Sequence, residues 1–307
     1  MTDKTLAFVF PGQGSQSVGM LADIAEQHPE VLATFAQASA ALDFDLWQLV
    51  QDGPQETLNL TENAQPALLA ASVAVWRIYQ KQGKAQPAYL AGHSLGEWSA
   101  LVCAGVIEFA DAIKLVRLRG QYMQQAVPLG AGTMAAIIGL DDAVVEQCCE
   151  QAKAQGVVET VNYNSPGQLV IAGEVAAVET AMALCKDAGA KRALLLSVSA
   201  PFHTSMMKPA ADNLAKHIEQ TLFSAPTIPV LHNVGVSVEA NPNAIKQRVI
   251  KQIYSPVPWV ASIEALAAFG VQTLLECGPG KVLSGLNKRI DKSLNCDALG
   301  SAAALAE

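Results

Sequence analysis

The six cysteines, at 103, 148, 149, 185, 277 and 296, include no C-x-x-C pair, which removes the usual spacing for a zinc ribbon or a dithiol redox centre. In a 307-residue chain without a secretory signal they read as reduced core residues, and a disulfide framework is not expected. The five histidines, at 28, 93, 203, 217 and 232, never fall into H-x-x-x-H. No metal site and no metal-assisted hydrolysis are therefore expected. Charged residues are scarce, 16% against 51% hydrophobic, a balance that excludes disorder. The longest apolar stretch, around Ala67 to Trp76, is too short to span a bilayer, and only Leu6 to Phe10 precede Pro11-Gly12. No membrane partner is expected, and the cytoplasm is the expected location. The net charge of −8 argues against nucleic acid, because phosphate binding needs clustered Lys and Arg to release counterions. No repeat period, low-complexity tract or long charged block is present.

What the chain does have is Gly92-His93-Ser94-Leu95-Gly96, a G-x-S-x-G pentapeptide. Ala88 to Ala91 before it reads as a buried strand, and Leu95 to Ala104 after it reads as a helix stopped by Gly105. Strand, sharp turn and helix are the order this motif needs to expose a nucleophilic hydroxyl. The two glycines admit close backbone packing, and the Leu95 amide at a helix N-terminus is a ready oxyanion donor. The competing reading is a chance match in a chain rich in Ala, Gly and Ser.

Length suits one large α/β domain, or a large domain with a smaller companion. Leu6 to Phe10 is a buried strand running into Pro11-Gly12-Gln13-Gly14-Ser15, a loop without the lysine of a phosphate loop, which favours a backbone-donor role. Helical patterns extend through Trp47, then from about Glu62 to Gln82, ahead of the strand leading to Ser94. From Gly132 the texture becomes strand (to Leu140), helix (Asp142 to Gln155), strand (Val157 to Tyr163), strand (Gln168 to Ala172), helix (Glu174 to Ala188) and strand (Ala193 to Val198). That order, β-α-β-β-α-β, predicts a ferredoxin-like unit. Strand patterns at Pro229 to His232 and Thr273 to Cys277 then resume the parallel sheet. The expected division is 1–128 with 199–307 as a large α/β catalytic part and 129–198 as an inserted small one, with the ligand site in the cleft between them.

A serine needs a base. His203, in Ser199-Ala200-Pro201-Phe202-His203-Thr204-Ser205, follows a strand broken by proline and is the candidate. His93 adjoins the serine, but neighbours on a sharp turn point apart, and it reads as a packed, hydrogen-bonded histidine. His217 and His232 read as surface or core residues. No acid stands out as a third member, so a backbone carbonyl is expected to orient the imidazole. On the helix from about Phe109 to Gln125, Arg119 has Leu115, Val116, Tyr122 and Met123 at three and four residues, which places it on the apolar face. No carboxylate is within helical reach, so its partner is a ligand's acid group, unless it snorkels or pairs with a distant Glu. Arg117, beside Lys114 and Gln121, reads as solvated.

These residues, with Pro11-Gly12-Gln13-Gly14, Gly92 to Glu97, Arg119-Gly120, Asn162 to Gln168, Gln252 to Val257 and Glu276-Cys277-Gly278-Pro279-Gly280, resemble bacterial malonyl-CoA:acyl carrier protein transacylases over nearly the whole chain. The resemblance implies a hydrolase-like α/β core with a ferredoxin-like insert. It implies a malonyl-Ser94 intermediate, His203 as base and acid, the Gln13 and Leu95 amides as oxyanion hole, and Arg119 clamping the malonyl carboxylate. It further implies that the Gln252 carbonyl orients the histidine and that Phe202 leaves little room for an α-methyl group. Trp98 stands where a tyrosine is common. The implied partners are malonyl-CoA and holo acyl carrier protein, with no metal or redox cofactor. A serine thioesterase or esterase is the alternative, but it has no use for a buried cation. Lys281, Lys288, Arg289 and Lys292 are the candidate positive surface for an acidic carrier.

Overall fold

The computed structural model describes residues 1–198 and 200–306. Ser199, where the expected second segment of the large part begins, and Glu307, where it ends, lie outside the described residues.

Ten strands are present among them. β1 (Thr2–Phe10) and β2 (Gln86–Gly92) precede β3 (Gly132–Ile138), β4 (Val158–Ser165), β5 (Gln168–Glu174) and β6 (Arg192–Leu195). β7 (Val230–His232), β8 (Ser237–Val238), β9 (Thr273–Glu276) and β10 (Asn295–Ala298) follow. The first sheet has the order β10-β9-β1-β2-β7-β8 and is parallel except for the β7–β8 pair. Its central strand shows why: alternate residues face opposite cores and both faces are apolar. Leu6, Phe8 and Phe10 join one cluster while Ala7 and Val9 join another around Trp259 and Ile263.

The second sheet is antiparallel, in the order β4-β5-β3-β6. It packs against the helices Asp142–Ala152 and Val175–Asp187 over a core of its own drawn from residues 135–193. β4 of the second sheet is tied to the segment leading into the helix Trp259–Ala268, where Tyr163 N donates to Val257 O and Val257 N to Val161 O (3.0 and 2.8 Å). This explains the Ser255-Pro256-Val257 segment.

Two sequence expectations need correction here. The strand expected over Ala193 to Val198 ends at Leu195; Leu196 N still bonds Met134 O, and then the chain leaves the sheet to line the cleft. The helix expected to reach Gln155 closes as a 3₁₀ turn over Lys153–Gln155, the usual tightening at a C-terminus. β8 and β10, of two and four residues, were too short to leave a period in the sequence. No helix of the described residues is long and apolar enough to cross a membrane.

Candidate active site

Ser94 sits between β2 and the helix Leu95–Cys103 with φ 52° and ψ −106°. A left-handed φ is costly for a serine and persists only where the surroundings hold it. Here the surroundings are backbone. A Cβ on Gly92 would lie 1.9 Å from the carbonyl carbon of Gly96, and one on Gly96 would lie 2.0 Å from the Phe10 oxygen. Only glycine lets β1, the turn and the helix approach this closely. Asn233, just after β7, locks the turn: its Oδ1 accepts from Ser94 N (3.0 Å) and its Nδ2 donates to Gly92 O (2.8 Å).

The Ser94 hydroxyl is 2.7 Å from His203 Nε2. His203 is itself at φ 66° on the turn after β6, where the Thr204 hydroxyl donates to Pro201 O (2.7 Å). Its Nδ1 faces two carbonyls, of Gln252 (3.0 Å) and Ser255 (3.1 Å). Nδ1 therefore carries the proton, and Nε2 is left as the acceptor for the serine proton. Gln252 is the last residue of the helix Pro242–Gln252, so its carbonyl lacks an intrahelical partner; it accepts from Ser255 N (3.3 Å) and keeps a lone pair for the imidazole. Burial, with the Arg119 cation as the next cause, pushes the His203 pKa down to about 3, while its carbonyl partners oppose the shift.

Arg119, in the helix Phe109–Gln125, is 2% exposed and has no ion pair among the described residues. Its partners are neutral oxygens: Gln65 Oε1 (2.9 Å), Gln252 Oε1 (3.0 Å) and Ser94 Oγ (3.2 Å). Its Nε has no partner among the described residues. Burial lowers its pKa to about 10, with Glu97 opposing, so it stays charged near neutrality. A desolvated cation met only by neutral acceptors is costly, and an incoming carboxylate is what it lacks.

Gln13, Leu95, Met123 and Phe202 line the same cleft, and the second sheet's region adds Met134, Asn162, Leu196 and Val198. All seven sequence-designated site residues thus converge: six on the cleft lining, Gln252 behind it. The Gln13 and Leu95 amides have no hydrogen-bond partner among the described residues. His93 also lines the cleft, but its ring is engaged by Asn164 Oδ1 (2.8 Å) and packs near the Trp259 ring, and burial lowers its pKa. Arg117 is not simply solvated: it donates to Asn63 Oδ1 (3.2 Å) and lies over the Phe44 ring, because its long stem reaches the apolar border of the helix.

Four polar residues of this neighbourhood were given no part in the site from the sequence, His232 among them, which is buried in the core. Gln65, 1% exposed, is a polar residue inside the apolar run of the helix Thr61–Lys81. Glu97, His232 and Asn233 form a buried group beneath the elbow. The exposed residues Lys281, Lys288, Arg289 and Lys292 surround the helix Val282–Ile290, outside the cleft lining, and Arg289 donates to Gln168 Oε1 (2.9 Å). Glu276 explains the Glu-Cys-Gly-Pro-Gly segment: its carboxylate caps that helix through the amides of Leu283 and Ser284. Among the described residues no group of three or more His, Cys, Asp or Glu is placed to hold a metal ion.

Fold and site together define an acyl transferase, and a family model described as the acyl transferase domain matches residues 7–296. The chain is 60% identical over 300 residues to the malonyl CoA-acyl carrier protein transacylase of Escherichia coli (strain K12), covering 98% of this chain and 97% of that one. It superimposes on the crystal structure of an acyl carrier protein S-malonyltransferase from Vibrio cholerae O1 biovar eltor with a TM-score of 0.96, at 61% identity over 98% and 99% of the two chains. A further solved structure, described as a type II PKS acyl-carrier protein in complex with its malonyl-transacylase, matches with a TM-score of 0.97 at 54% identity over 98% and 97%. The chain belongs to the malonyl CoA-acyl carrier protein transacylase family.

Proposed function

We propose that this enzyme moves the malonyl group from malonyl-CoA to the phosphopantetheine thiol of acyl carrier protein, in fatty acid synthesis, through an ester on Ser94. In the first half, Ser94 Oγ attacks the thioester carbonyl as His203 Nε2 takes its proton. The oxyanion turns toward the Gln13 and Leu95 amides. Collapse breaks the C–S bond, and the imidazolium returns the proton to the departing CoA sulfur. In the second half, the carrier thiol gives its proton to His203 and attacks the ester; the C–O bond breaks and Ser94 Oγ recovers a proton. The Gln252 and Ser255 carbonyls hold the imidazole in one tautomer throughout, in place of a carboxylate.

The observation that carries the choice of acyl group is Arg119, a buried guanidinium without a carboxylate, 3.2 Å from the nucleophilic oxygen. A malonyl carboxylate would pair with it as the thioester carbonyl reaches Ser94. Pairing would also relieve the cation's depression of His203, so the charged acyl group strengthens its own base. Phe202, 7% exposed, is assigned to limiting the space beside the α-carbon. The division into a hydrolase-like part, 1–128 with 199–307, and a ferredoxin-like insert, 129–198, draws support from the order β4-β5-β3-β6 and from the insert's separate core. We place the reaction in the cytoplasm, where coenzyme A thioesters and their carriers are used.

The test is the ratio of kcat/KM for malonyl-CoA to that for acetyl-CoA. Arg119→Ala should lower the ratio by about a hundredfold or more, the scale of a desolvated, charge-assisted pair. Arg119→Lys should recover little of it, since an ammonium lacks the guanidinium fork. A ratio within about threefold of the wild type in Arg119→Ala would make the arginine structural and remove the basis for malonyl selection.

A further inference from the structure

Beneath the elbow lies a buried carboxylate that the reaction as written does not use. Glu97, in the first turn of the helix Leu95–Cys103, is 0% exposed. Its Oε1 is 2.7 Å from His232 Nδ1, and its Oε2 accepts from Asn233 N (3.0 Å) and from Gln252 Nε2 (2.8 Å). His232, Asn233 and Gln252 are each at most 1% exposed, so all four groups meet away from bulk solvent.

The bond to Gln252 matters because a primary amide has two faces of opposite polarity and nearly the same shape. Gln252 Nε2 meets three acceptors: Glu97 Oε2, Ser94 O (3.0 Å) and Asn233 Oδ1 (3.3 Å). Its Oε1 meets Arg119 Nη2 at 3.0 Å. Turned over, the amide would set an N–H against the guanidinium and an oxygen against the carboxylate, losing both charge-assisted bonds. The main-chain carbonyl of the same residue orients His203. One residue therefore touches the clamp, the base and the backbone of the nucleophile, and the carboxylate is the shortest and the only charged of the three acceptors that turn its amide this way. Glu97 also opposes the burial that lowers the Arg119 pKa.

We infer that Glu97 is a positioning residue: its buried carboxylate sets the facing of the Gln252 amide and, through it, places Arg119 for the substrate carboxylate beside Ser94. This rests on the reading of Arg119 given above. A neutral amide at 97 keeps size and an acceptor but can present an N–H instead, so Gln252 loses its one charged acceptor and is held only by the weaker bonds to Ser94 O and Asn233 Oδ1. Arg119 is then the group most affected, and His203, held through the main chain, the least.

The experiment is a kinetic cycle on the full-length enzyme with malonyl-CoA and acetyl-CoA. Glu97→Gln should lower kcat/KM for malonyl-CoA by about ten- to hundredfold, the range of one charged hydrogen bond, while acetyl transfer falls no more than about threefold. In a Gln252→Ala background the same change should add less than about twofold, because its route of action is already gone. Glu97→Asp keeps the charge but withdraws it by one methylene and should show the same selective loss; it puts the same question if Glu97→Gln does not fold. Equal losses for both substrates, or effects that add in the double variant, would make Glu97 a purely structural carboxylate and overturn the inference. If Arg119→Ala shifts the malonyl to acetyl ratio and folded Glu97→Gln does not, the inference alone fails; if Arg119→Ala does not shift it, the reading beneath it fails.

Discussion

The parallel-sheet region and the antiparallel insert meet at one cleft but bring different chemistry to it. Among the described residues, the buried polar side chains include Gln65, Glu97, Arg119, His203, His232, Asn233 and Gln252 from the first region, and only Ser165 from residues 129–198. The insert presents Met134, Asn162, Leu196 and Val198, mostly apolar. Reacting groups must be held to fractions of an ångström, and a lattice of buried hydrogen bonds at the carboxyl ends of β1, β2 and β7 does that. A wall needs only shape. Changes in the first region should therefore act on the chemical step, and changes in the insert on binding.

Removing His203 should break this comparison most visibly. His203→Ala is expected to lose roughly 10²–10⁴-fold in kcat, as for a general base, whereas His93→Ala, which frees Asn164 and leaves the base in place, should stay within about tenfold. Equal losses at the two histidines in folded proteins would contradict the assignment. The pH profile sharpens the same point. The Arg119 cation disfavours imidazolium and so lowers the His203 pKa; deleting it must raise that pKa. The acid limb of kcat/KM for acetyl-CoA, read from the free enzyme, should move to higher pH in Arg119→Ala. A limb that stays put or moves down would mean the two groups do not share a field.

On the insert side the effect should be smaller and of another kind. Asn162 lines the cleft, and its Oδ1 has no partner among the described residues. Asn162→Ala should raise KM for the thioester by about threefold, with kcat changed less than twofold, as expected for one neutral hydrogen bond made equally in the bound and transition states. A fall in kcat with unchanged KM would place a reacting role on the insert.

The same contrast governs what could be read from the chain. Ser94 on its elbow, the β-α-β-β-α-β order and the apolar-face position of Arg119 are local patterns, and the structure carries all three. His203 could be chosen because proline and a strand end mark its turn. Glu97, His232 and Asn233 could not, because their meaning is a set of contacts between residues more than 130 positions apart, and no period records which buried polar groups face one another. Gln65 left a trace, a lone amide in an apolar helix, that only the Arg119 contact explains. Arg117 shows the opposite case: Lys114 and Gln121 beside it in the helix are polar, while Phe44, the ring it covers, lies in the connection between the helices Glu30–Leu42 and Leu46–Asp52.

The central claim is that malonyl resides on Ser94 between the two half-reactions. It is tested most directly by intact mass measured after seconds of exposure to malonyl-CoA, in the wild type and in Ser94→Ala. The wild type should gain the mass of one malonyl group, lose it on addition of holo acyl carrier protein, and pass it to the carrier, while Ser94→Ala gains nothing and transfers nothing. Carrier malonylation at full rate by Ser94→Ala, or an adduct that forms on it as readily as on the wild type, would contradict the account.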